Sequence, residues 1–120
     1  MKKNIIKEKS FEFALLAIEL NKRLMAEKEF VISKQILRSG TAVGALIREA
    51  EHAESTKDFI HKLSISLKEA NETIYWLELL YNSQQIKIEY YTILHSKIEE
   101  ILKILITIIK SGKQRIRIEN

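Results

Sequence analysis

The chain has 120 residues, of which 46% are hydrophobic and 30% are charged, and these values fit one domain with a core of its own. It contains three Gly, no Pro and no Cys, which disfavours tight hairpins and excludes disulfides and thiolate metal sites. The formal net charge is +4, and the positive excess lies in residues 1–28 and 86–120 rather than in residues 29–85. This asymmetry fits either polyanion binding or an ordinary solvated surface.

The N-terminal residues carry Lys but lack both a long apolar segment and a cleavage site of small residues, so we expect no signal peptide. The most apolar run, residues 101–110, is too short to cross a bilayer and contains Lys103 and Lys110. We therefore expect a cytoplasmic protein that makes no contact with a membrane.

The first predicted helix covers residues 10–27, with a start as early as Asn4 as an alternative. Its expected apolar face consists of Phe11, Ala14, Leu15, Ile18 and Met25. The second predicted helix covers residues 31–54, after a polar break at residues 27–29. Its expected buried stripe, spaced alternately by four and three residues, consists of Ile32, Ile36, Ser39, Val43, Leu46, Ala50 and Ala53.

Two of the three glycines, Gly40 and Gly44, lie inside the second predicted helix. Each glycine costs a helix interior about 0.5–1 kcal/mol relative to Ala, so their presence needs a reason. A flattened helix surface allows another backbone to approach closely, and this makes both glycines candidates for close packing or for an oligomer contact. A local bend is the alternative, whereas a phosphate loop is disfavoured because no strand precedes the glycines.

The third predicted helix covers residues 56–82, where Ser55 and Asp58 resemble a capping box at its start. Its seam alternates spacings of three and four residues and consists of Ile60, Leu63, Leu67, Ala70, Ile74, Leu77 and Tyr81. The fourth predicted helix covers residues 88–111, with Gly112 as its stop and residues 112–120 as a frayed basic tail. The pattern predicts an all-α, antiparallel up-down four-helix bundle that forms a single domain over residues 1–120.

The second half of the fourth predicted helix is apolar around most of its circumference. A bundle helix needs an apolar sector somewhat wider than about 100°, so we expect this one to contact another subunit, with Ile101, Ile104 and Ile108 as candidate contacts. The alternative is that the first helix covers it within one chain.

Residues that could carry chemistry are few. Glu49 with His52, and Asp58 with His61, have the Glu-x-x-His type of spacing found in di-iron bundles, but both pairs flank the predicted turn, and the other two inward acids are missing. No Ser lies beside a His on a strained turn. We therefore expect no metal site, no cofactor and no enzymatic activity.

A polar row on the second predicted helix contains Lys34, Arg38 and Arg48, which could grip phosphates bidentately or pair with acids of the bundle. Both interpretations stay open. On the third predicted helix Tyr75 and Trp76 fall against the seam, which favours a core position for Trp76 over a base-stacking one.

Residues 33–80 closely resemble a bacterial family of four-helix bundles, named for proteins encoded within intervening sequences of large-subunit ribosomal RNA genes. The matching elements include Leu37-Arg38-Ser39-Gly40-Thr41, Ile47-Arg48-Glu49-Ala50 and Lys68-Glu69-Ala70-Asn71-Glu72. Ala45-Leu46 departs from the family's usual Ala-Asn, which puts in doubt any polar contact made there in relatives.

The resemblance implies a homopentameric ring. Relatives include accessory proteins of diversity-generating retroelements, which are thought to bind nucleic acid on a basic surface and to bind a reverse transcriptase. Carried over by position, the resemblance makes Arg38, Arg48, Lys62 and Lys68 nucleic-acid-binding candidates. Their alternative role is pairing with Glu49, Glu69 and Glu72. We therefore expect a ring-forming accessory protein that binds structured RNA, the alternative being a structural adaptor that binds only protein.

Overall fold

The computed structural model describes residues 4–119, so residues 1–3 and 120 of the predicted domain lie outside the described residues. This part of the chain is built from four helices and contains no strand. The helices are α1 (Ile5–Ala26), α2 (Ile32–Ala50), α3 (Thr56–Asn82) and α4 (Ile88–Glu119). The prediction of an all-α bundle is confirmed. Within residues 4–119, none of the helices combines the length and the apolar character needed to cross a membrane.

Neighbouring helices run antiparallel, as the pairs of residues that meet along them demonstrate. The start of α1 reaches the end of α2, where Lys7 contacts Glu51, and the end of α1 reaches the start of α2, where Asn21 contacts Ser33. The same reversal relates α2 to α3, α3 to α4, and α4 back to α1. The pairs that establish it are Ser39–Thr73 with Glu49–Lys62, Tyr81–Tyr91 with Ile60–Gly112, and Lys9–Glu100 with Arg23–Tyr90.

The buried face of α1 differs from the predicted one. Its core side consists of Ile6, Ser10, Phe13, Ala17, Leu20 and Leu24. Four of the five residues predicted to be inside point to solvent, and we call Phe11, Leu15, Ile18 and Met25 the outer stripe of α1; the fifth, Ala14, is half-buried. The core side faces inward because Ser10 and Ala17 are small enough to let α2 approach at its glycines. Helix α1 is therefore apolar on two sides.

The α2–α3 contact contains small polar residues as well as apolar ones. Ser39 accepts a hydrogen bond from Thr73 at 2.8 Å, and Ser66 donates to the carbonyl of Val43 at 2.9 Å, so both hydroxyls are satisfied inside the core. The predicted seam of α3 lies partly in the core and partly at its edge. Ile60, Leu63, Ala70 and Leu77 are buried, whereas Leu67, Ile74 and Tyr81 are half-buried.

Hydrogen bonds between neighbouring residues determine where α2 ends and where α3 begins. Ser55 accepts a hydrogen bond from the amide of Asp58 at 3.0 Å, and Asp58 accepts one from the amide of Glu54 at 3.2 Å. The prediction that α2 continues to residue 54 is wrong, because these caps hold residues 51–55 in a turn. Ala53, which was expected in the buried stripe, is therefore outside the helix.

Helix α4 is longer than predicted and passes through Gly112 without ending. A Cβ at this position would collide with the side chain of Ile60, so the glycine makes room for α3 rather than ending a helix. Ile116 packs against the core one turn later, which gives the last residues a reason to stay helical. The prediction of a frayed tail over residues 112–120 is wrong for residues 112–119.

Candidate nucleic-acid interface

Arg38, a predicted phosphate contact, is held by two acids of α3. Its guanidinium lies 3.0 Å from a carboxylate oxygen of Glu69 and also contacts Glu72, while Gln35 accepts a hydrogen bond from its Nε at 3.2 Å. The hydrogen bond to Glu72 raises the pKa of Arg38 further above its ordinary value. Three of the donor groups that a phosphate would need are therefore already engaged within the bundle.

Lys62 and Arg48 also have partners within the chain. Lys62 lies 3.5 Å from a carboxylate oxygen of Glu49, and the guanidinium carbon of Arg48 lies 5.3 Å from the ring centre of Phe11. The charge of Lys62 is thus partly neutralised, whereas Arg48 keeps its full charge over an aromatic face. Of the five predicted contacts, Lys34 and Lys68 are exposed and have no acid within ion-pair distance among residues 4–118.

Gly40 and Gly44 lie where α2 meets α1. A Cβ on Gly40 would stand 2.9 Å from the Cβ of Ala17, and a Cβ on Gly44 would stand 3.3 Å from the carbonyl oxygen of Ser10. The backbone that approaches these glycines is therefore that of α1 in the same chain, which accounts for their cost without an oligomer contact.

Of the three isoleucines predicted as oligomer contacts on α4, one is buried and two lie at the edge of the core. Ile101 is 1% exposed and belongs to the core, and Ile104 and Ile108 are half-buried against that core. Ile101 therefore offers no surface to another subunit. Exposed apolar surface lies on the outer stripe of α1, whose side chains are between 38% and 53% exposed, and also on α4, where Ile106 is 45% exposed. Sequence reasoning identified only this outer stripe of α1 and placed it inside, whereas the buried side, with Phe13 and Leu20, was missed.

Sequence reasoning missed a second basic region, because it treated the end of α4 as a frayed tail. Lys110, Lys113 and Arg117 are exposed and follow each other at spacings of three and four residues, so they share one side of the helix. We call these three residues the C-terminal basic row. The signal that could have found them is the same 3-4 spacing, continued through Gly112.

Histidines and acids do not converge on a metal site within the described residues. Over residues 4–119, no group of three or more His, Cys, Asp or Glu could hold a metal ion. His52 lies in the turn after α2, and His61 is exposed on α3.

A cleft of about 670 Å³ lies at the opposite end of the bundle, between the end of α1 and the start of α4. Its walls include Arg23, Glu27, Lys87 and Tyr90, and the Arg23 guanidinium lies 4.8 Å from the ring centre of Tyr90. Burial raises the pKa of Tyr90 above its ordinary value. The absence of enzymatic activity stays a prediction.

Comparison with known proteins agrees with this architecture. A family model described as "23S rRNA-intervening sequence protein" matches residues 2–107. A crystal structure of a protein of unknown function, from the S23 ribosomal protein family of Bacteroides thetaiotaomicron, is similar to the chain with a TM-score of 0.87 and 57% sequence identity. The match covers 88% of this chain and 98% of that one. The search of curated proteins found no match. The chain thus belongs to the 23S rRNA-intervening sequence protein family.

Proposed function

We propose that this protein is a non-enzymatic accessory protein that assembles into a ring and binds structured RNA. The observation that carries the proposal is the outer stripe of α1, a set of four large apolar side chains on the surface of the bundle. The proposal of a ring of five subunits rests on the family resemblance. The proposal of RNA as the ligand rests on the family's link to ribosomal RNA genes.

The outer stripe of α1 favours self-association because clustered apolar side chains on a soluble surface commonly mark an interaction site, and here Lys22 alone interrupts the spacing, between Ile18 and Met25. The stripe extends over residues 11–25, which corresponds to about 20 Å of helix axis. The core side of the same helix is already filled, so a rearrangement within the chain does not bury the stripe. A second copy of the chain is the occupant that the family's ring provides, and head-to-tail contacts are the kind that close into rings.

Assembly would strengthen RNA binding through charge. One chain has a net charge of +4, and five chains would have about +20. A ring of this charge attracts a polyanion by releasing its counterions, so the affinity would fall steeply with salt.

The test pairs light scattering with an RNA titration. Leu15→Gln with Ile18→Gln should reduce the mass from a multiple of 14.0 kDa toward that of one chain and weaken binding to a short RNA duplex. Val31→Gln with Ile118→Gln removes two exposed apolar side chains outside the stripe and should leave the mass unchanged. A wild-type protein that stays at 14.0 kDa at high concentration would overturn the assembly, and one that ignores RNA at low salt would overturn the RNA binding.

A structural adaptor is the second candidate. The observation that favours it is the pairing of Arg38 with Glu69 and Glu72 and of Lys62 with Glu49, which removes two cations from the predicted RNA surface. In that case the surface would receive a protein, a reverse transcriptase being the partner that the family resemblance implies. An intact oligomer with no RNA affinity at low salt would favour the adaptor over the RNA-binding protein.

A further inference from the structure

The C-terminal basic row lies on the last three turns of α4. From Lys110 to Arg117 it rises about 10 Å along the helix axis. Ile109, Gly112 and Ile116 lie on the inward side of the same turns, where Gly112 meets Ile60 and Ile116 packs against the core. The row is therefore fixed in direction by packing, and its three cations face solvent together.

The cations of the row are available, unlike others on α4. Lys103, about two turns before Lys110, lies 3.2 Å from a carboxylate oxygen of Glu99. Within residues 4–118, no acid lies within ion-pair distance of Lys110, Lys113 or Arg117. An unpaired, exposed cation gives up only water when it binds a phosphate, whereas a paired one must first lose its acid.

Two acids at this end of the bundle have partners away from the row. Glu51 accepts hydrogen bonds from Asn4 and Lys7, and Asp58 accepts one from the amide of Glu54. The carboxylates of Glu51 and Asp58 are therefore held by groups other than the cations of the row.

Helix α3 adds one lysine level with the row. Tyr81 lies level with Tyr91 and Ile60 lies level with Gly112, which fixes the register between α3 and α4. Lys57 comes three residues before Ile60, so this register places it level with Arg115, between Lys113 and Arg117. It is exposed and has no acid within ion-pair distance among residues 4–118.

The row lies beyond the part of the chain that the family model matches, which ends at residue 107. Arg38, Arg48, Lys62 and Lys68, by contrast, lie within the matched part. A membrane surface is a poor ligand, because an interfacial helix buries its apolar side in lipid and here that side is packed against the bundle.

We propose that the C-terminal basic row, with Lys57 level with it on α3, binds the phosphate backbone of structured RNA. The inference rests on the proposed function and specifies which surface carries it. A straight row of cations on a rigid helix suits the regularly spaced phosphates of an A-form duplex, which proteins recognise by shape and backbone rather than by base sequence. Binding should thus be insensitive to sequence.

The experiment compares two triple variants of the full chain on an RNA duplex as the salt concentration is raised. Lys110→Gln, Lys113→Gln and Arg117→Gln remove the row, and Gln keeps the helix propensity of these exposed positions. Arg23→Gln, Lys28→Gln and Lys87→Gln remove the same charge from exposed cations at the opposite end. The row variant should lose at least about tenfold in affinity at low salt and lower the slope of log K against log salt by about 3.

Each result separates the inference from the proposed function. Wild-type binding that the row variant retains, or that both variants lose equally, overturns the inference and leaves the proposed function standing. A wild-type protein that binds no RNA, or that binds only vesicles containing phosphatidylserine, overturns both. Circular dichroism of each variant, with an unchanged helical spectrum expected, ties a lost affinity to the missing charge.

Discussion

The surface of α2 and the end of α4 carry the same kinds of basic residue in opposite circumstances. On α2, Arg38 forms ion pairs with Glu69 and Glu72, and these pairs connect α2 to α3. At the end of α4, Lys113 and Arg117 have no acid within reach among residues 4–118 and face solvent. The comparison teaches that a cation's availability for RNA depends on partners far away in sequence, and not on its place in a motif.

The largest effect is expected from reversing charge in the C-terminal basic row. Lys113→Glu with Arg117→Glu should weaken binding to an RNA duplex about a hundredfold or more at low salt, because two attractive contacts become repulsive. A fluorescence titration measures this. Lys28→Glu with Lys87→Glu changes the net charge by the same amount at the other end, and an equal loss there would mean that only net charge matters.

The packing around the glycines also differs between α2 and the end of α4. Gly40→Ala should lower the free energy of unfolding by about 1–2 kcal/mol, because the added Cβ meets the Cβ of Ala17, which cannot rotate away, and this outweighs the gain in helix propensity. Gly112→Ala should cost less, because the obstacle is the side chain of Ile60 at the end of the bundle, which can rotate. Urea unfolding measures both. A larger loss at Gly112 would contradict the difference in packing.

Removing the two acids that pair with Arg38 should make this arginine available to RNA, as the cations at the end of α4 are. Glu69→Gln with Glu72→Gln should raise RNA affinity about threefold to tenfold at low salt, since one more phosphate contact becomes possible and two negative charges are removed. Glu8→Gln with Glu19→Gln makes the same change of charge on α1 and serves as the control in the same titration. Equal gains in the two variants would count against a specific role for the release of Arg38.

The smallest effect concerns Lys9 and Glu100, which join α1 to α4 at 2.5 Å. The hydrogen bond from Lys9 lowers the pKa of Glu100 below its ordinary value of 4.5. This pair therefore adds stability above about pH 4.5, and that contribution is lost as the pH falls through the lowered pKa of the folded state. The stability of Glu100→Gln, measured by urea unfolding, should be less sensitive to pH in this range than that of the wild type. Identical pH profiles would contradict the contribution.

Much of the fold could be predicted because its signals are local. The 3-4 spacing and the Ser55 cap define α3, and they depend on residues within one or two turns of each other. The two sides of α1 could not be separated in this way, because periodicity favours Phe11 and Leu15 as much as Phe13 and Leu20. The tertiary signal is the small pair Ser10 and Ala17, which fit against the glycines of α2.

The candidate site was harder to predict than the fold. The partners of Arg38 lie 31 and 34 residues away, and only the packing of α2 on α3 brings them together. The C-terminal basic row was missed for the opposite reason, since Gly112 has the local signature of a helix stop while Ile60 and Ile116 keep the helix going.

The most direct test of the central claim is the salt dependence of RNA binding by two double variants of equal charge. Lys113→Gln with Arg117→Gln removes unpaired cations, and Arg38→Gln with Lys62→Gln removes paired ones. We expect the slope of log K against log salt to fall by about 2 in the first variant and by less than about 1 in the second. The reverse order would contradict the claim that unpaired cations at the end of α4 bind the RNA.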